Sequence, residues 1–150
     1  MKHAEKSAAV GNRSSKTVGS STDTYACGST SNRLASITAQ AGAVRNFSFD
    51  PNGSTTNDGA NQYVYDARGR LIQSTNSAAC LVSKYHVNPL GQRVRKTVTT
   101  CNTGAPVADT LYVYDLGGRL LSEHLLGGNY KRAYIYLNDI PVGLVWNQNE

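Results

Sequence analysis

An aromatic residue followed two places on by a second aromatic, or in one copy by Val, recurs along the chain, and each such stretch leads into a polar turn signal. The copies are Phe47-Ser-Phe49-Asp50-Pro51-Asn52-Gly53, Tyr63-Val-Tyr65-Asp66-Ala67-Arg68-Gly69-Arg70-Leu71 and Tyr85-His-Val87-Asn88-Pro89-Leu90-Gly91-Gln92-Arg93-Val94. Tyr112-Val-Tyr114-Asp115-Leu116-Gly117-Gly118-Arg119-Leu120 and Tyr134-Ile-Tyr136-Leu137-Asn138-Asp139-Ile140-Pro141-Val142 complete the series. Their starts lie 16, 22, 27 and 22 residues apart. Residues two apart share one face of a strand. An Asp or Asn then accepts hydrogen bonds from turn amides, and a Gly three residues on enters positive φ without steric cost. Each copy therefore predicts a β-hairpin: 63–66 with 70–75, 84–88 with 93–99, 111–115 with 119–124, and 132–137 with 141–146.

No stretch shows a 3.6-residue apolar period, and the connections are rich in Asn, Ser, Thr and Gly, as in Asn76-Ser77-Ala78 and Asn102-Thr103-Gly104. An internal repeat of this length decides the fold class before any single residue does. The expectation is an all-β chain, with consecutive antiparallel hairpins in one curved sheet over residues 25–150. Residues 1–24 are dominated by Ser, Thr, Lys and Gly. Such a stretch buries too little apolar area to offset the entropy of ordering, and predicts a disordered polar leader. A sheet segment also leaves an unpaired edge at each end, which predicts self-association.

Composition narrows the picture. Hydrophobic residues make up 39% of the 150 and charged residues 17%, low for a self-sufficient core. The longest apolar runs are about four residues, such as Leu111–Tyr114, where a membrane helix needs about 20. No run near the start has the length of a secretory signal's apolar stretch. The net charge of +5 is uneven: residues 1–50 carry +3, 51–100 carry +4 and 101–150 carry −2. Arg93, Arg95 and Lys96 form the one tight basic group, in a predicted strand whose alternate side chains face opposite ways, so a nucleic-acid surface is not the expectation.

The Tyr-x-Tyr-Asp-x-x-Gly-Arg-Leu pattern resembles the YD repeat of the Rhs (rearrangement hotspot) family. That repeat also occurs in wall-associated bacterial proteins, insecticidal Tc-type toxin subunits and animal teneurins. The match is strong at 63–71 and 112–120, and weaker at 85–94, where Asn88 stands for Asp and Gln92 reads as an extra residue before Arg93. It is weakest at 47–53 and 134–142, and in all it spans roughly 32–146. The resemblance implies hairpins joined side by side into a hollow shell around a C-terminal toxin or other effector. It implies a secreted or cell-surface setting, and partners in the remainder of the shell and its toxin. It also implies that this chain is a short, C-terminal-side piece of the repeats, without the core that closes the shell and without a toxin domain.

The repeat assigns structural roles to Tyr63, Tyr65, Asp66, Gly69, Arg70, Tyr85, Asn88, Gly91, Tyr112, Tyr114, Asp115, Gly118, Arg119, Tyr134 and Tyr136. The recurring Asp residues each have a local turn role, not that of a paired-carboxylate site. Asp50-Pro51-x-Gly53 superficially matches a motif of the family's protease core but sits at a repeat turn. His86 and His124 have no nucleophile motif around them. The expectation is no enzyme, no cofactor and no metal site, since Cys27, Cys80 and Cys101 show no paired-ligand spacing. The tyrosines read as a cross-strand ladder, at about 0.2–1 kcal/mol per aromatic pair. The alternative is a carbohydrate-binding surface in which the repeat tyrosines stack on sugars and Arg70, Arg93 and Arg119 hold acidic groups. Finally, a hairpin turn centred near Leu90 places Cys80 opposite Thr99 or Thr100. Cys101 lies one or two places further on, so a disulfide between Cys80 and Cys101 requires a bulge, such as one imposed by Gln92. The disulfide and two neighbouring reduced thiols both stand open at this point.

Overall fold

The computed structural model describes residues 3–147. All its regular structure is β: β1 (His3–Ser7), β2 (Arg13–Val18), β3 (Ser21–Cys27), β4 (Leu34–Thr38), β5 (Val44–Asn46), β6 (Ser48–Phe49), β7 (Thr55–Asn57), β8 (Asn61–Tyr65), β9 (Leu71–Asn76), β10 (Leu81–Val87), β11 (Arg93–Thr100), β12 (Pro106–Tyr114), β13 (Leu120–Leu125), β14 (Tyr130–Leu137) and β15 (Ile140–Trp146). Strands follow one another in chain order, β1–β5 in one sheet and β6–β15 in another. The chain forms two compact units, Met1–Tyr63 and Val64–Glu150.

The four hairpins expected from the Tyr-x-Tyr copies correspond to β8 with β9, β10 with β11, β12 with β13, and β14 with β15. Two expectations are corrected. The chain forms two sheets rather than one. The segment expected as a disordered leader holds β1, β2 and most of β3, and the compact units divide after Tyr63, not after residue 24. The ends of the two expected segments, residues 1–2 and 148–150, lie outside the described residues.

The reason for the first-unit strands is that this fold does not rely on apolar burial. Among the described residues no hydrophobic side chain is buried, and Thr110, 7% exposed, is the buried polar one. Ladder hydrogen bonds and polar cross-strand pairs replace a core. In β1–β3, Arg13 pairs with Glu5 at 2.8 Å, stacks 5.5 Å from the Tyr25 ring centre, and Thr17 Oγ1 meets Thr22 Oγ1 at 2.9 Å.

One turn geometry recurs. The first residue's N–H donates to the fifth residue's carbonyl, and the fourth residue's N–H donates back to the first. It joins Ala8 to Asn12, Ala39 to Ala43, Asp50 to Ser54, Asp66 to Arg70, Asn88 to Gln92, Asp115 to Arg119 and Leu125 to Asn129. The fourth residue is Gly each time. Gly69 at φ 74° and Gly118 at φ 87° occupy the left-handed region that a Cβ disfavours. Just past many turns the pairing slips by one residue, with shifts at Lys6/Ser7, Ala26/Cys27, Ser48/Phe49, His86/Val87, Val113/Tyr114 and Ile135/Tyr136. Ser14, Ala35, Thr56, Val94, Leu121 and Val142 are the unpaired bulge residues.

Candidate functional site: the turn ladder

The residues singled out by the repeat, Tyr63 apart, lie on the turns of the second unit and on the strands beside them. In the first strong copy, Asp66 Oδ1 accepts from the Arg68 and Arg70 amides, both at 2.9 Å. Asp66 Oδ2 accepts from Arg70 Nε at 2.7 Å, with Nη2 also at 2.7 Å. Arg70 Nη1 then reaches the Asn88 carbonyl of the next hairpin's turn at 3.1 Å. The second strong copy repeats the arrangement. Asp115 Oδ1 accepts from the Arg119 amide at 2.9 Å and Oδ2 from Arg119 Nε at 2.6 Å. Arg119 Nη1 reaches Asn138 O at 2.5 Å and Asp139 Oδ1 at 3.1 Å. Each Asp-Arg pair thus closes its own turn and ties that turn to the next one.

The Asn88 copy uses a neutral version of the same clamp. Gln92 N–H donates to Asn88 Oδ1 at 2.9 Å, and Asn88 Nδ2 donates to Gln92 Oε1 at 2.7 Å. Gln92 therefore occupies the place of Arg70 and is not an extra residue, which corrects the alignment read from sequence. The signal was present: an amide pair four residues apart where the other copies have an opposite-charge pair.

A second set of ties runs in the other direction. Tyr114 Oη donates to Arg93 O at 2.9 Å, and Tyr136 Oη donates to Leu120 O at 2.9 Å. Arg93 and Leu120 each open the return strand of the preceding hairpin, so the second Tyr of a copy fastens backwards where the turn Arg fastens forwards. In two copies the first Tyr binds a polar group on a neighbouring strand. Tyr134 donates to Glu123 Oε1 at 2.6 Å, and Tyr85 Oη meets Ser74 Oγ at 3.1 Å. Tyr63 donates to Asp58 Oδ2 at 2.9 Å within the first unit. Arginines stack on the same rings: Arg93 lies 4.6 Å from the Tyr85 ring centre and 6.0 Å from that of Tyr112, and Arg119 lies 5.7 Å from that of Tyr136. This stacking was not read from sequence.

The electrostatics follow. The backbone N–H of Arg70, then its side chain, hold the Asp66 carboxyl below the usual carboxylate range. The Arg119 backbone and side chain do the same for Asp115. Across β11 and β12, Arg95 binds both oxygens of Asp109, at 2.9 and 2.5 Å, and lowers that carboxyl. Burial raises the Asp58 carboxyl, but hydrogen bonds from the Ala60 and Asn61 amides, Tyr63 and the Asn61 side chain outweigh it and leave it well below the usual range. The basic group of the sequence is thereby divided, Arg93 stacked on tyrosines and Arg95 bound to Asp109. His124 Nε2 meets Ser122 Oγ at 2.9 Å, and among the described residues no three His, Cys, Asp or Glu side chains gather.

At the opposite end of the β10–β11 hairpin, Cys80 and Cys101 form a disulfide with Cα atoms 5.0 Å apart. The turn pairs Val87 with Arg93, and the bulge at Val94 shifts the register so that Leu81 faces Thr100 and Cys80 reaches Cys101. Cys27 is a free thiol.

No protein-family model matches the chain, and no curated protein matches it in sequence. Solved structures do resemble it. The crystal structure of TcdB2-TccC3-Cdc42 aligns over 77% of this chain with a TM-score of 0.62 and 14% identity. That of TcdB2-TccC3 aligns over 77% with a TM-score of 0.60 and 14% identity. A Photorhabdus luminescens Tc holotoxin pore with a mutated TccC3 aligns over 81% with a TM-score of 0.59 and 16% identity. This chain spans only 6% of the length of each of these chains. At such identity the likeness is one of fold: the chain has the Rhs-like β-hairpin fold found in these Tc toxin chains.

Proposed function

We propose that the chain is a structural segment of an Rhs-type, YD-repeat shell that encloses a secreted effector or toxin, with no catalysis of its own. The observation that carries this reading is the two-way tie between successive hairpins: Arg70 and Arg119 forward to the next turn, Tyr114 and Tyr136 back to the preceding return strand. A motif spent on joining neighbours serves a wall. The partners on this reading are the remainder of the shell and its C-terminal toxin, in a secreted or cell-surface setting. No helix is long and apolar enough to cross a membrane among the described residues.

The carbohydrate alternative needs the same side chains free. Arg70 and Arg119 are held by Asp66 and Asp115, and Arg93 lies between two tyrosine rings. The test is cross-linking mass spectrometry in extracts of cells that make the protein, with a glycan array alongside. Links from Lys84 and Lys131 to a second YD-repeat polypeptide that holds an effector support the shell. Retention on acidic glycans that survives moderate salt, with no such links, refutes it.

A further inference from the structure

The turn ladder fastens one rim of the second unit's hairpins. Loops 77–80 and 101–105 lie at the far ends of the strands, where β9 meets β10 and β11 meets β12. The Cys80–Cys101 disulfide is a covalent link between those two loops. Its surroundings are weak in three respects. Cys80 has φ 51°, in the left-handed region, which costs a residue that carries a Cβ. The main-chain bond from Cys80 N–H to Ser77 O is long, at 3.3 Å. Residues 77–79 and 101–106 are exposed.

Loop 101–105 is in contrast closed on itself. Thr100 N–H donates to Ala105 O at 2.9 Å, Gly104 N–H to Thr100 O at 3.0 Å, and Thr100 Oγ1 meets Thr103 Oγ1 at 2.7 Å. The rung that crosses the seam, Cys101 N–H to Cys80 O at 2.9 Å, lies next to the bridge and just beyond the last ladder pair, Leu81 with Thr100.

We propose that Cys80–Cys101 is a redox-sensitive latch that opens this rim while the turn ladder on the other rim stays closed. The reductant is a small thiol of the glutathione class. Its thiolate attacks the sulfur of Cys101, an exposed residue, the S–S bond breaks, and Cys80 leaves as a thiolate that takes a proton from water. A second reductant thiolate attacks the mixed disulfide and releases Cys101, which is protonated in turn. Two reductant thiols become one reductant disulfide, and two electrons reduce the bridge. Cys80 then relaxes to negative φ, its bond to Ser77 O is lost, and the seam between loops 77–80 and 101–105 opens. An oxidising compartment keeps the latch shut, and a reducing cytosol releases it. Loosening of a shell wall in such a cytosol is a consequence that rests on the function proposed above; the latch itself does not.

The test is hydrogen-exchange mass spectrometry on the full chain, oxidised and after treatment with glutathione or dithiothreitol. Reduction should accelerate exchange at residues 77–81 and 100–102 at least tenfold and leave 88–92 unchanged. Cys101→Ser should show the reduced pattern with or without reductant. The double variant Cys80→Gly with Cys101→Ser removes the left-handed cost and should regain much of the slow exchange at 77–81. Unchanged exchange on reduction overturns the latch, as does acceleration spread over the whole sheet. Equal exchange in the double variant and in Cys101→Ser overturns the role given to the backbone of Cys80. Because the readout is local to the purified chain, failure of the latch and failure of the shell reading are separate results.

Discussion

Replacing Gly69 isolates the backbone requirement of the repeat turn. A Cβ at Gly69 would meet nothing within 4 Å, and the residue has φ 74°. Any loss of stability on substitution therefore comes from the left-handed conformation and not from a clash. Ala in that region costs about 1–2 kcal/mol, and a β-branched Val about 2–3 kcal/mol, the upper part of the range for strained backbone. Asn, which tolerates the region through local hydrogen bonds, should cost less than about 1 kcal/mol. For a chain of this size 1 kcal/mol moves the midpoint by about 2–4 °C, so Gly69→Val should melt about 4–12 °C below the parent. Gly143 supplies the control: its φ is not positive, and a Cβ there would lie 3.5 Å from Ile135 Cβ, an ordinary contact. Gly143→Ala should therefore melt close to the parent. The assay is thermal and urea unfolding followed by far-UV circular dichroism. The order parent, Asn, Ala, Val from most to least stable is the expected result. A Val variant as stable as the parent, or an Asn variant as unstable as Val, would refute the turn assignment.

Two further outcomes are expected. Asp66 and Asp115 have folded-state pKa values below the ordinary carboxylate value, so their contribution is present above about pH 4 and is lost as pH falls through the folded values. Asn88 shows that an amide can hold the same turn, so Asp66→Asn with Asp115→Asn should flatten the fall in melting midpoint between pH 5 and pH 2; parallel profiles would contradict this. The edge strand β15 exposes Ile140, Val142, Leu144, Val145 and Trp146, and an apolar unpaired edge templates association. Size-exclusion chromatography should show larger species as concentration rises, and a sharp monomer peak at high concentration would count against it.

The hairpins of the second unit were legible because Tyr112, Tyr114, Asp115 and Gly118 each carry a local instruction, strand face or turn, that needs no tertiary context. The strands within residues 3–24 were not legible because Ser14, Ser15, Thr17 and Thr22 read as polar disorder when strands are assumed to need apolar burial. Here a Thr17–Thr22 contact and an Arg13–Glu5 pair do that work. The glycines at 11 and 42 were the available signal, since they hold the same fourth turn position as Gly69 without a Tyr-x-Tyr before it. The turn aspartates were readable as turn residues, but the reach of Arg70 and Arg119 into the next turn was not, because it depends on the spacing of hairpins in space. The register of Cys80, read as opposite Thr99 or Thr100, was off by one or two places for a similar reason. The slip falls at Val94 and not at Gln92, and it becomes visible as a rule only when Leu121 and Val142 are seen to slip in the same place.

With no hydrophobic side chain buried among the described residues, the repeat side chains reinforce the ladder pairing that joins one hairpin to the next. Hydrogen exchange resolved to single residues in a variant that carries Arg119→Gln and Tyr136→Phe tests that directly. These substitutions cut the two-way tie between the β12–β13 hairpin and β14–β15, from Arg119 to Asn138 and from Tyr136 to Leu120, and leave the β13–β14 ladder and the Tyr134–Glu123 bond in place. The expected result is faster exchange across the junction of β13 and β14, with the β10–β11 hairpin as protected as in the parent. Parent-like protection at that junction would contradict the claim that the repeat motif reinforces the joining of the hairpins.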